Sequence, residues 1–157
     1  MESVLRKKIL FVDDEENVLE GLRRMLRPMR KEWSMHFVTS GDEALNYLEQ
    51  HHIDVVVSDM RMPGMSGNDL LAKVNDHSPH TMRIMLSGHS DQEMIAKSVL
   101  PVHQYLAKPC KPDELKAAIE QAFRLRSYVT DESLQSIVSS IDTLPVLPQL
   151  YLDITEE

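Results

Sequence analysis

Two short apolar runs in this 157-residue sequence end in acids. Ile9-Leu10-Phe11-Val12 leads into Asp13-Asp14-Glu15-Glu16, and Asp54-Val55-Val56-Val57-Ser58 leads into Asp59. Ser87 closes a third run, Met82-Arg83-Ile84-Met85-Leu86, and Lys108-Pro109 follows a fourth, His103-Gln104-Tyr105-Leu106-Ala107. Carboxylates crowded together repel one another and require a counter-charge. Mg2+ suits them, because it takes one or two carboxylates along with waters and phosphate oxygens. A carboxylate also acts as a nucleophile toward phosphorus. The transferring phosphoryl group spreads negative charge over its oxygens, which a metal, an ammonium and hydroxyl donors neutralise in place. On this chemistry Asp59 is the candidate nucleophile, and Asp13 and Asp14 are the candidate metal ligands. Lys108 and Ser87 are candidate contacts to phosphoryl oxygens. A glycine-rich phosphate loop is lacking, which argues against a nucleotide-cradling site. Singly, each feature has a plainer reading: Asp13-Asp14 as a solvated turn or helix cap, Asp59 as the opening of a turn, Lys108 as a surface lysine. The argument lies in their joint placement.

The elements that must position these groups alternate in kind. The two densest apolar runs have the look of strands buried on both faces. Met35-His36-Phe37-Val38-Thr39 and the runs ending at Ser87 and Ala107 are less apolar and are expected nearer an edge. Val18, Leu22, Leu26 and Met29 form one stripe of a first helix; Leu115, Ile119, Ala122 and Arg126 mark a last one, with Phe123 adjoining. Ser40-Gly41-Asp42-Glu43 and Ser90-Asp91-Gln92-Glu93 fit capping boxes, and Ser66-Gly67-Asn68-Asp69 is a near relative. Pro112-Asp113-Glu114 opens the last helix with a proline and with acids at its positive pole. The pattern is β-α repeated five times, ending near Tyr128. It predicts an α/β, doubly wound parallel sheet with helices on both faces and right-handed crossovers. In such sheets functional groups collect outside the carboxyl ends of the strands, where all the candidates above would stand.

In combination, Phe11-Val12-Asp13-Asp14, Ser58-Asp59-Met60-Arg61-Met62-Pro63-Gly64-Met65-Ser66-Gly67, Leu86-Ser87-Gly88 and Tyr105-Leu106-Ala107-Lys108-Pro109 resemble the receiver domain of two-component response regulators, over about residues 6 to 127. The resemblance implies a flavodoxin-like five-stranded sheet of order 2-1-3-4-5. It implies Asp59 as phosphoacceptor, Asp13 and Asp14 as Mg2+ ligands, and the backbone carbonyl of Arg61 completing the metal shell. It further implies Lys108 and Ser87 at the phosphoryl group, Ser87 and Tyr105 as switch residues, and a cis Lys108–Pro109 peptide. Arg61 and His89 match positions that influence phosphoryl lifetime; a bulky Arg61 is expected to impede the attacking water, and His89 to act there in a direction left open. The implied donor is a sensor histidine kinase, a phosphotransfer protein or a small acyl phosphate. The implied contact surface, for a partner or a second copy in a homodimer, is the face made by the Ser90 helix, the fifth strand and the last helix.

Residues 1–128 are thus expected to form the receiver and residues 129–157 a linker helix and a truncated start of an output module. Ile141-Asp142-Thr143-Leu144-Pro145-Val146-Leu147-Pro148 resembles the opening of an HDOD domain; a cyclic-dinucleotide phosphodiesterase of HD-GYP type is the competing output, and a tail packing back on the domain is the plainer alternative. A haloacid-dehalogenase-like phosphotransferase needs a second aspartate two places after the nucleophile, where Arg61 stands. A flavodoxin-like flavin binder needs a Ser/Thr/Gly loop where four consecutive acids stand. The implied protein is a phosphoacceptor signalling domain rather than an enzyme acting on external substrates.

Composition narrows the field further. Hydrophobic residues make up 42% and charged residues 27%, an ordinary globular mixture. A formal net charge of -8 argues against clamping nucleic acid by bulk electrostatics. No apolar segment approaches the roughly 20 residues of a membrane span, and the N-terminus lacks a signal-peptide pattern, so a cytoplasmic location without membrane contact is expected. One cysteine, Cys110, lies between two lysines and reads as an incidental thiol. His51-His52 close the second helix; His77 and His80 flank Pro79 and make a poor metal pair. The ten methionines read as gap-fillers.

Overall fold

A computed structural model describes residues 6–88 and 102–129, with side chains to residue 126. The expected helix after Ser90, His89 and the HDOD-like tail lie outside the described residues. The elements run β1 (Lys7–Val12), α1 (Glu16–Met25), a 3-10 turn (Arg27–Met29), β2 (Trp33–Val38), α2 (Gly41–Gln50), β3 (Val55–Asp59), α3 (Gly67–His77), β4 (Met82–Ser87), β5 (Gln104–Ala107) and α4 (Pro112–Val129). The strands form one parallel sheet in the order β2-β1-β3-β4-β5.

Successive side chains of a strand point to opposite faces, so a sheet covered on both sides needs apolar residues at consecutive positions. That is what β1 and β3 supply. Ile9, Phe11, Val55 and Val57 face one layer with Leu19 and Leu22 of α1 and Leu115, Ile119 and Phe123 of α4. Leu10, Val12 and Val56 face the other, against Ala44 of α2 and Leu70, Leu71 and Val74 of α3.

Two expectations need correction. The stripe from Val18 to Met29 is not one helix: α1 ends at Met25, and Arg27–Met29 is a separate 3-10 turn with Pro28 at its start. Proline has no N–H for the helical ladder, so the helix stops while Leu26 and Met29 still reach the core. Nor is β4 itself an edge strand: it is one strand in, as β1 is on the other side. It lies between β3 and β5 with all six residues buried. Arg83 lent it a polar look, but that guanidinium folds back to donate to the carbonyls of Thr81 (2.8 Å) and Pro79 (3.4 Å). The less apolar β2 and β5 do form the edges.

Arg126 ties α4 across the amino edge of the sheet. Its guanidinium pairs with Asp54 just before β3, and its Nε donates to the His80 carbonyl at 3.0 Å. The other Asp54 oxygen accepts from the Lys8 N–H at 2.8 Å.

Candidate functional site

The carboxyl edge of the sheet gathers the candidate groups. Asp13 leaves β1 with its N–H bonded to the Val38 carbonyl of β2 at 3.2 Å. Asp59 is the last residue of β3, and Ser87 the last of β4. Lys108 follows β5, and its N–H donates to the Ser87 carbonyl at 2.8 Å, so the strand pairing itself sets where the lysine stem begins. The Lys108–Pro109 peptide is cis, as the resemblance implied.

These starting points converge. The Lys108 ammonium pairs with Asp59 Oδ1 and lies 3.4 Å from Asp13 Oδ2. Carboxylate oxygens of Asp13, Asp14 and Asp59 all lie within 4.8 Å of one another. Asp13 and Asp59 are buried, at 1% and 6% exposure, while Asp14 is the most open of the three.

Electrostatics follow from that crowding. Burial pushes the Asp59 carboxyl above its ordinary pKa, with the charges of Asp13 and Asp14 adding and Lys108 opposing. Asp13 is likewise raised by burial, against the Glu15 N–H and Lys108. Burial works against the Lys108 charge, but its bond to Asp59 and the two carboxylates hold its pKa above the usual lysine value. One ammonium facing three carboxylates leaves the cluster short of positive charge. The donor set is all hard oxygen, which is what Mg2+ prefers. The site fits Mg2+.

Arg61 is exposed on the loop after Asp59. Tyr105 lies on β5 with its side chain buried in the layer that includes Met85, Val102 and the core residues of α2 and α3. The sequence reading missed the Glu15 N–H, which donates to Asp13 Oδ1 at 2.9 Å and fixes that carboxylate. Its signal was the strand-to-helix junction: Glu15 is the N-cap of α1, where the backbone N–H has no intrahelical acceptor, and Asp13 takes it. Burial raises the Cys110 pKa and Glu114 adds to the effect, which disfavours the thiolate.

Comparison with known proteins agrees with this arrangement. The family described as response regulator receiver domain matches residues 9–120. The hydrogenase transcriptional regulatory protein HoxA of Cupriavidus necator is 35% identical over 125 residues, covering 78% of this chain but 25% of the relative. Response regulator UvrY of Escherichia coli K12 is 29% identical, over 84% of this chain and 61% of its own length. The chain thus spans about a quarter of HoxA. Among solved structures, the signal receiver domain of an HD domain-containing protein from Pseudomonas fluorescens Pf-5 is 34% identical with a TM-score of 0.72, covering 78% of this chain and 98% of that one. A response regulator receiver domain protein from Clostridium thermocellum is 31% identical with a TM-score of 0.71, covering 79% and 99%. Among the described residues no helix is long and apolar enough to cross a membrane. With the family matched across the sheet and its carboxyl edge, the chain belongs to the response regulator receiver domains of two-component systems.

Proposed function

We infer that this chain is a phosphorylation-controlled switch whose phosphoacceptor is Asp59. The observation that carries the reading is the meeting of Asp13, Asp14 and Asp59 from two distant loops, with the Lys108 ammonium paired to Asp59. An Asp59 carboxylate oxygen attacks phosphorus; an O–P bond forms as the bond from phosphorus to the donor's nitrogen or acyl oxygen breaks. Asp13, Asp14, Asp59 and the Arg61 carbonyl would hold Mg2+, which supplies positive charge to the phosphoryl oxygens when bound. Lys108 neutralises one of those oxygens, and the Ser87 hydroxyl donates to another. Arg61 and His89 stand as modulators of how long the acyl phosphate survives. The donor is a sensor histidine kinase, a phosphotransfer protein or a small acyl phosphate.

Phosphorylation then biases two arrangements of the region around Ser87 and Tyr105. The readout is the face made by β5, α4 and the segment between Ser90 and β5, for a partner or a second copy. Residues 1–128 act as receiver and residues 129–157 lead into an output module of HDOD type. The likeness of this receiver to one from an HD domain-containing protein supports an output from that wider group, with the HD-GYP type as alternative. The domain turns over no external substrate.

The test is incubation with Mg2+ and an acyl phosphate, followed by intact mass measurement. Wild type gains one phosphoryl group and Asp59→Asn gains none. Equal gain in both, or turnover of an external phosphate ester, would falsify the assignment.

A further inference from the structure

We propose that Gly67 is a positioning residue for the phosphoacceptor, holding the Asp59–Met60 main chain and the loop after it in the register the metal site requires. The proposal rests on the phosphoacceptor reading above and names a residue which that reading leaves without a role. Gly67 is buried at the first turn of α3, and its N–H donates to the Met60 carbonyl at 2.9 Å. On the other side, the Met60 N–H donates to the Leu86 carbonyl of β4 at 3.1 Å. Met60, the residue after the nucleophile, is therefore held through its N–H by β4 and through its carbonyl by the start of α3.

The grip leaves no room for a side chain. A Cβ at Gly67 would collide with the Asp59 carbonyl oxygen and come within 2.9 Å of both Met60 Cα and Met85 Sδ. The methionine sulfur ends a flexible chain and can yield. The other two atoms are backbone, so relief has to come from moving the Asp59–Met60 peptide or the start of α3. Gly41 provides the contrast: the nearest atom to its Cβ would be Met65 Sδ, the end of a movable side chain. Gly67 has no positive φ, so close approach rather than backbone conformation is what demands glycine there. The loop that would shift carries Arg61, whose carbonyl is the fourth metal ligand of the proposed set. A misplacement on the ångström scale at such a site costs on the order of tenfold or more.

The experiment compares Gly67→Ala with Ser66→Ala. Ser66 Oγ accepts from the Asp69 N–H at 3.1 Å, so its loss weakens the same helix start without touching Asp59. Both variants should melt lower than wild type. Only Gly67→Ala should raise the Mg2+ dissociation constant, by on the order of tenfold, and slow phosphoryl uptake even at saturating Mg2+. Equal Mg2+ affinity in wild type and Gly67→Ala, or equal weakening in both variants, overturns the proposal. Should Gly67→Ala not fold, backbone NMR of the wild type decides. Titrating Mg2+ should shift the Gly67 and Met60 amide resonances together with that of Asp59, whereas an unmoved Gly67 rejects the role. Wild type that binds no Mg2+ and takes up no phosphoryl group overturns the phosphoacceptor reading itself, and this one with it.

Discussion

A carboxylate carried out of water keeps its charge only at a cost, and Asp59 and Asp13 both carry that cost in the absence of a metal. Burial raises both above the ordinary 3.8. Between the unfolded and the raised folded value the native state binds more protons, so this contribution is fully present below the unfolded pKa. It is lost as pH rises through the folded one. His103 works the other way. Burial of its ring and the Arg83 charge lower it to about 3, so its contribution is present above about 6.5 and lost as pH falls. Comparing variants separates the two. Without divalent cations, Asp59→Asn should be at least as stable as wild type at neutral pH. Its advantage should shrink as pH drops toward about 4, as read by urea denaturation across pH. A variant clearly less stable than wild type at neutral pH would mean that the Lys108 pair outweighs burial. At this scale the sequence was informative about identity and silent about degree. Asp13, Asp59, Ser87 and Lys108 could be picked out because each ends or follows a strand. Which carboxylate would be buried and which left open depends on packing that spacing alone does not encode.

Local chemistry accounts for most of the element boundaries. Ser40 accepts from the Glu43 N–H at 3.1 Å and Ser66 from the Asp69 N–H, as their spacing implied. The Glu43 carboxylate departs from a strict capping box: it reaches past Ser40 to the Thr39 N–H (2.9 Å) and hydroxyl (2.6 Å). The hydroxyl bond first, then the N–H, lowers its pKa. Where the reading failed, a second residue overrode the pattern: Pro28 cut a continuous stripe, and Arg83 disguised an inner strand. Gly21 shows what a helix position without tertiary demands permits. It lies inside α1, and nothing stands within 4 Å of where its Cβ would be. Gly21→Ala should therefore stabilise the domain by about 0.5–1 kcal/mol, the usual difference between the two residues in a helix interior. A denaturation midpoint that does not rise would point to an unfavourable contact made by the new methyl group.

At the scale of the whole molecule, the two edges of the sheet do different work. Strand β3 carries Asp59 at its carboxyl end, while Asp54, just before its first residue, receives the Arg126 clamp from α4. This second arrangement was not legible beforehand. Arg126 fell on the apolar stripe of the last helix, but nothing in its neighbourhood identified a partner 72 positions away. Parallel topology brings them together, because every β-α unit returns the chain to the same amino edge. The pair is mostly buried, with 18% and 14% of the two side chains exposed, and Asp54 keeps the Lys8 N–H and His52 as neighbours. Arg126→Ala should cost roughly 1–3 kcal/mol, below the usual figure for breaking a fully buried pair because Asp54 retains partners. Arg126→Lys should recover only part of this, since an ammonium cannot reproduce the fork of bonds to Asp54 and the His80 carbonyl. Phosphoryl uptake by Asp59 should stay near the wild-type rate well below the melting temperature, because the clamp and the acid cluster lie at opposite ends of β3. Denaturation curves and uptake rates on the same two variants check both halves. A rate falling in step with stability would show that the two edges are mechanically coupled through the strand.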